Sequence, residues 1–71
     1  MTDKNNDITI TTRDRVLRAW QNSVEMTRDF EMYSKLIEDE RESTMFANFA
    51  VDEGLHAAKL LGLLHEYEAS M

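Results

Sequence analysis

Glu53 and His56 differ from their surroundings, because both lie within an otherwise apolar stretch, FANFAVDEGLHAAKLLGLLHEY, at residues 46 to 67. Residues three apart on a helix point to the same side, so this carboxylate and imidazole could hold one cation between them. An ionised carboxylate in an apolar interior is costly unless it is paired, protonated or bound to a cation. The sequence therefore indicates either a metal-binding pair, or a buried acid and imidazole that satisfy each other or a tyrosine.

The composition restricts which ligands and partners the chain can have. A chain of 71 residues forms one small domain, near the size at which a metal or a partner is needed for stability. It has no cysteine, so a metal would be bound by carboxylate and imidazole alone. Fourteen acidic and eight basic residues give a net charge of -6, and the scattered basic residues disfavour nucleic acid or an anionic membrane as partners. Without a targeting segment or a membrane span, we expect a soluble cytoplasmic protein.

The sequence predicts an all-α fold of two long helices. There is no proline, and neither of the two glycines interrupts the apolar periodicity around it. Residues 1–10 are polar and are expected to form a flexible tail. The domain, 11–71, is expected to be an antiparallel hairpin with one helix at about 12–38 and a second at about 40–69.

Polar residues at the start of each predicted helix can cap it. Thr11 or Thr12 precedes the first helix, and Asp14 lies in its first turn, where the helix dipole favours an acid. Asp39 and Ser43 are rival caps for the second helix, after the charge-dense segment EDERES.

A heptad pattern assigns apolar positions on both helices to a shared seam. On the first helix the predicted seam contains Val16, Ala19, Ser23, Met26, Phe30, Tyr33 and Ile37, flanked by Leu17, Trp20 and Val24. On the second it contains Phe46, Phe49, Glu53, His56, Leu60, Leu63 and Tyr67, flanked by Ala50, Ala57 and Leu64. A lone hairpin leaves half of each wide apolar face in water. We therefore expect two hairpins to self-associate into a four-helix bundle, with twofold symmetry as the commonest arrangement.

The motif F-x-x-F-A-x-x-E-x-x-H-A, from Phe46 to Ala57, resembles the metal-binding second helix of the ferritin-like superfamily, especially its rubrerythrin-type and short encapsulated-ferritin-type members. The first helix resembles the family only weakly. The resemblance implies a carboxylate-bridged di-iron site, in which glutamates from two helices join Glu-x-x-His pairs from two others. A homodimer would supply both halves and hold two iron ions. Zinc or manganese could occupy the same ligands, which do not select iron unaided.

The family pattern also requires a carboxylate from the first helix, one heptad before an inward tyrosine. Met26 stands seven residues before Tyr33 and cannot replace a hard oxygen ligand. Two glutamates could compensate. If the turn pivots on Asp39, Glu25 lies at the same height as Glu53; if it pivots about three residues later, Glu31 does. We favour Glu31, which lies at the flank of the predicted seam.

Two tyrosines are candidates for roles around the site, and the second histidine is not. Tyr33 and Tyr67 are expected to point inward, where their hydroxyls could orient ligating carboxylates or could lie at the rim while the rings pack. His65 falls on the outward side of the second helix and is expected to be a surface residue.

Two functions fit these features. The first is a ferritin-like non-haem iron protein that binds and oxidises ferrous iron, a ferroxidase serving iron storage or detoxification. The second is a non-catalytic helical hairpin that oligomerises or binds a partner helix, with Glu53 and His56 as a buried polar pair that fixes the register. The residues do not identify a shell protein or an electron donor.

Overall fold

The computed structural model describes residues 9–69, and this part of the chain contains two α-helices and no strand. Helix α1 covers Thr12–Leu36 and helix α2 covers Glu40–Ala69. The helices pack against each other, which confirms the predicted all-helical class and the pairing of the two helices. The predicted flexible tail falls mainly on residues 1–8, which lie outside the described residues. Within the described residues, neither helix combines the length and the apolar composition that a membrane span needs.

Helix α1 begins with a capping box. The Thr11 hydroxyl accepts a hydrogen bond from the Asp14 backbone N–H at 3.1 Å, and the Thr11 N–H donates to Asp14 Oδ2 at 3.0 Å. The Thr11 backbone N–H, and then its hydroxyl, lower the pKa of the Asp14 carboxyl below its ordinary value. Thr11 rather than Thr12 is therefore the cap. The helix ends where Ile37 becomes extended, with its N–H donating to the Tyr33 carbonyl at 2.9 Å.

The turn between the helices is short because Asp39 starts α2 directly. Its Oδ1 accepts a hydrogen bond from the Glu42 N–H at 2.8 Å, and its carbonyl accepts one from the Ser43 N–H at 2.8 Å. Ser43 does not cap α2; its hydroxyl donates to the Ser34 carbonyl on α1. This bond connects the two helices beside the turn and fixes which residues lie at the same height along the hairpin.

The contact between the helices uses one line of buried and half-buried residues on each. On α1 this line consists of Arg13, Val16, Trp20, Ser23, Thr27, Phe30, Ser34 and Ile37. On α2 it consists of Ser43, Phe46, Ala50, Glu53, Ala57, Leu60, Leu64 and Tyr67. Small side chains recur in both lines, which lets the two backbones approach closely.

Five of the fourteen predicted seam residues do not lie in the contact between the two helices. On α2, Phe49, His56 and Leu63 are exposed, whereas Ala50 and Leu64, predicted as flanks, are buried. On α1, Met26 and Tyr33 are likewise exposed, and Thr27 and Ser34 occupy the contact instead. The physical reason is that four of these five bulky residues are each followed by a small residue, Thr27, Ser34, Ala50 or Ala57, that fits a close helix contact. Close packing of the small residues turns the bulky ones to the edge of the contact.

Candidate metal centre

Glu53 and His56 lie at the edge of the helix contact, on the middle of α2. The Glu53 side chain is 26% exposed and the His56 side chain is 60% exposed. His56 Nδ1 lies 3.6 Å from Glu53 Oε2, which is longer than a hydrogen bond. Two atoms bound to one metal ion at about 2.1 Å are separated by roughly 3.0 to 3.5 Å, close to this distance. The pair could therefore bind one cation with only a small shift.

The exposed side of this pair is surrounded by apolar side chains. We define the His56 face as Met26 and Tyr33 on α1 together with Phe49, His56 and Leu63 on α2, all of which are exposed. The three positions on α2 are spaced seven residues apart, and the two positions on α1 are as well.

The aromatic rings show that both halves of the His56 face lie on the same side of the hairpin. Tyr33 packs edge-on against Phe46 with ring centroids 5.9 Å apart, and Phe49 packs against the same ring at 5.6 Å. Phe30 contacts both Phe46 and Phe49 at 5.8 Å. These four rings form one cluster near the turn, and two of them remain partly open to water. The His56 face is thus an apolar surface with a carboxylate and an imidazole farther along it.

The contact between Ser34 and Ser43 shows which α1 residue lies at the height of Glu53. Glu53 is ten residues beyond Ser43, and Val24 is ten residues before Ser34, so Val24 and its neighbour Glu25 lie level with Glu53. This position corresponds to the turn that pivots on Asp39.

The other candidate glutamate lies at a different height. Glu31 is three residues before Ser34 and is level with Phe46, seven residues or about 10 Å from Glu53 along the axis. Glu25 and Glu31 are both exposed. Within one hairpin, Glu25 is therefore the closer of the two in height to Glu53.

The remaining candidates do not lie beside Glu53 within one hairpin. Tyr33 is level with residue 44, about 14 Å along the axis from Glu53. Tyr67 is half-buried in the helix contact, fourteen residues or about 21 Å beyond Glu53. His65 is exposed, on the part of α2 turned away from α1.

The described residues of one hairpin do not make a complete metal site. Among the described residues there is no group of three or more histidine, cysteine, aspartate or glutamate side chains that could hold a metal ion.

Comparison of the chain with models of known protein families, with curated proteins and with solved structures found no match. The functional interpretation therefore rests on the residues themselves.

Sequence reasoning missed one surface feature of α2. Val51 and Leu55 are exposed on the side turned away from α1, beside the charged residues Asp52 and Lys59. The available signal was a second apolar period along α2, with spacings of three and four residues.

Proposed function

We propose that two copies of the hairpin associate through the His56 face into a ferritin-like four-helix bundle that binds two iron ions. In this proposal the protein takes up ferrous iron as its substrate and oxidises it, for storage or detoxification. The observation that carries the proposal is that Glu53 lies at the edge of the helix contact, with the imidazole of the exposed His56 3.6 Å from its carboxylate. The resemblance of the motif from Phe46 to Ala57 to ferritin-like proteins supplies the expected metal and reaction.

Association is required because one chain supplies only part of a site. A twofold axis near Glu53 and His56 would bring two carboxylates and two imidazoles together, since each copy presents the same surface to the other. Docking would also cover the apolar side chains of Met26, Phe49 and Leu63. Exposed apolar patches of this kind mark interaction sites in soluble proteins.

The donor types suit the proposed ion. Carboxylate oxygen and imidazole nitrogen bind ferrous and ferric iron, although zinc and manganese accept the same donors. The bound iron supplies the electrons for reaction with dioxygen or peroxide. The contribution of the chain is to fix the donors at a separation suited to one ion and to surround them with apolar side chains that limit access of water.

In this proposal Glu25 competes with Glu31, the glutamate preferred from the sequence, because Glu25 is closer in height to Glu53, although it lies on the exposed side of α1. If the twofold axis passes near Glu53, then Glu25 of each copy lies within a few residues of the height of Glu53 along the helices. Glu31 stays about 10 Å away along the axis in either chain. Glu25 adjoins Met26, which belongs to the His56 face, and is turned from it by about 100° around α1.

The test is to titrate the full chain with ferrous iron under anaerobic conditions and then admit air. We expect about one iron bound per chain, followed by the near-ultraviolet absorption of oxo-bridged ferric iron. Glu53→Ala and His56→Ala should abolish both signals, whereas His65→Ala should leave them unchanged. Glu25→Ala should weaken binding more than Glu31→Ala.

The matched histidine control makes the result decisive. His56 and His65 are both exposed histidines on α2, so general iron adsorption would be lowered equally by either substitution. Equal behaviour of the two variants, or oxidation no faster than in buffer, would contradict the proposal. Binding without oxidation, in the same one-to-one ratio, would leave a metal site but exclude the ferroxidase reaction.

A second candidate function is a non-catalytic interaction module that associates through the same apolar surface. The observation that favours it is that the Glu53 and His56 pair has no third donor among the described residues. In that case the pair would fix the alignment of the two copies by its polarity. Self-association and thermal unfolding that are both unaffected by metal ions would support this function over the first.

A further inference from the structure

We propose that α2 carries a second self-association surface, separate from the His56 face, along which another copy of the chain docks in the antiparallel direction. We define this surface, the outer stripe, as Asn48, Val51, Leu55, Ala58 and Gly62. Its positions recur at spacings of three and four residues, which places them on one face of a helix. This inference does not depend on iron or on the proposed function.

The outer stripe is open to solvent in the hairpin. Val51 is 62% exposed and Leu55 is 58% exposed. Ala58 is exposed, and a Cβ atom added at Gly62 would meet nothing within 4 Å. A helix that is apolar on its outer side as well as on its inner side is typical of one that is covered on both. Since α1 covers only the inner side, the outer side is available to another molecule.

Charged residues beside the stripe identify the occupant as a second copy. Asp52 and Lys59 lie seven residues apart along the same edge, each one residue beyond a position of the stripe. In a parallel pair with a twofold along the helices, the edge that carries Asp52 and Lys59 lies on opposite sides of the contact in the two copies, so these charges do not meet. In an antiparallel pair with a twofold axis near Leu55, each Asp52 lies opposite the second copy's Lys59, so the pair forms twice.

These two side chains are available for such a pairing. Within the described part of the chain, neither Asp52 nor Lys59 forms an ion pair, and both are exposed. The pattern is self-complementary, which a surface for an unrelated partner would not require. Around this axis the small residues Ala58 and Gly62 would lie beside the second copy's Val51, and Leu55 would lie against the second copy's Leu55.

The outer stripe and the His56 face can be occupied at the same time. Val51 is two residues before Glu53 and is therefore about 160° away from it around α2. Two separate twofold contacts on one chain join dimers into a larger assembly. If both contacts form, we expect the full chain to form particles larger than a dimer at high protein concentration; if only the outer stripe associates, we expect a dimer.

The test is to exchange the charges at positions 52 and 59 and to measure the size of the assembly by sedimentation velocity of the full chain over a range of concentrations. Asp52→Lys and Lys59→Asp should each weaken the larger assembly about tenfold, because two attractive pairs become repulsive. The double variant, Asp52→Lys with Lys59→Asp, should restore it. Glu38→Lys, an exposed substitution in the turn, makes the same change of charge away from the stripe and should have little effect.

Circular dichroism at low concentration would show that each variant still folds. A double variant that associates no better than the single variants would overturn the proposal, as would single variants that behave like Glu38→Lys. A chain that stays monomeric at every concentration, or a dimer that the charge exchanges leave unchanged, would overturn it as well. Leu55→Ser supplies an independent check: it should weaken the larger assembly while iron binding per chain stays unchanged, so failure of this inference is distinguishable from failure of the proposed function.

Discussion

Leu63 and Leu64 provide a direct test of how the two helices face each other. The two are adjacent leucines on α2, but Leu64 is 5% exposed in the helix contact and Leu63 is 36% exposed on the His56 face. Replacing each in turn by alanine removes the same atoms from two different environments. The pattern of apolar residues in the sequence predicts the larger effect at Leu63, and the structure predicts it at Leu64.

The expected difference follows from burial. Leucine to alanine removes three carbon atoms, worth about 2 kcal/mol when fully buried, and the cavity left at a packed site raises the cost to about 3 kcal/mol. Leu64→Ala should therefore cost about 3 kcal/mol. At Leu63 the site is open, so no closed cavity forms and the transfer term is reduced by exposure to about 1.5 kcal/mol or less.

The measurement is urea unfolding followed by far-ultraviolet circular dichroism, with both variants at matched concentrations. Leu64→Ala should lower the free energy of unfolding most at every concentration. Leu63→Ala should additionally weaken self-association, because its side chain belongs to the surface proposed to dock a second copy. If Leu63→Ala is the more destabilising of the two at the lowest concentration, the arrangement of the helix contact described above is refuted.

Three further substitutions test local features of the helices. Gly54→Ala should stabilise the protein by about 1 kcal/mol in thermal unfolding, because alanine favours the helix interior and an added Cβ meets nothing within 4 Å. If the variant is instead less stable, another chain must approach this position closely. Thr11→Ala should cost about 1 kcal/mol by removing the cap of α1. The pKa of the Asp14 carboxyl is lower in the folded state than in the unfolded state. The ionised carboxyl therefore stabilises the fold fully above the unfolded-state pKa, and this stabilisation is lost as the pH falls through the folded-state pKa. Unfolding curves in acid should therefore show this loss in the wild type and not in Asp14→Asn.

The sequence is sufficient to predict the two helices and to limit the start of each to two candidate caps, of which the structure selects Thr11 and Asp39. Thr11 and Asp39 are polar residues followed three positions later by an acid, and both form the predicted backbone contacts. These features depend only on neighbours along the chain. Local sequence therefore specifies the elements well in this protein.

The side of each helix that faces the other could not be obtained in the same way. On α2 the lines through Phe49 and Leu63 and through Ala50 and Leu64 are both apolar, so periodicity alone does not choose between them. The choice is made by how closely two backbones can pack, which depends on both helices together. The height of Glu25 relative to Glu53 could not be predicted from the sequence either. It depends on the turn, which is fixed by the hydrogen bond that the Ser43 hydroxyl donates to the Ser34 carbonyl.

The distribution of apolar surface over the two helices explains why the candidate site needs more than one chain. Helix α2 presents apolar residues toward α1, on the His56 face and along the outer stripe, whereas α1 carries Arg18, Glu25 and Arg28 on its exposed side. If both surfaces of α2 are covered by other copies, α2 becomes an interior helix and α1 remains at the surface. Glu53 and His56 then change from a half-exposed pair into a buried one, and a buried carboxylate needs a partner charge. Association and cation binding would therefore stabilise each other, since each removes a cost that the other creates.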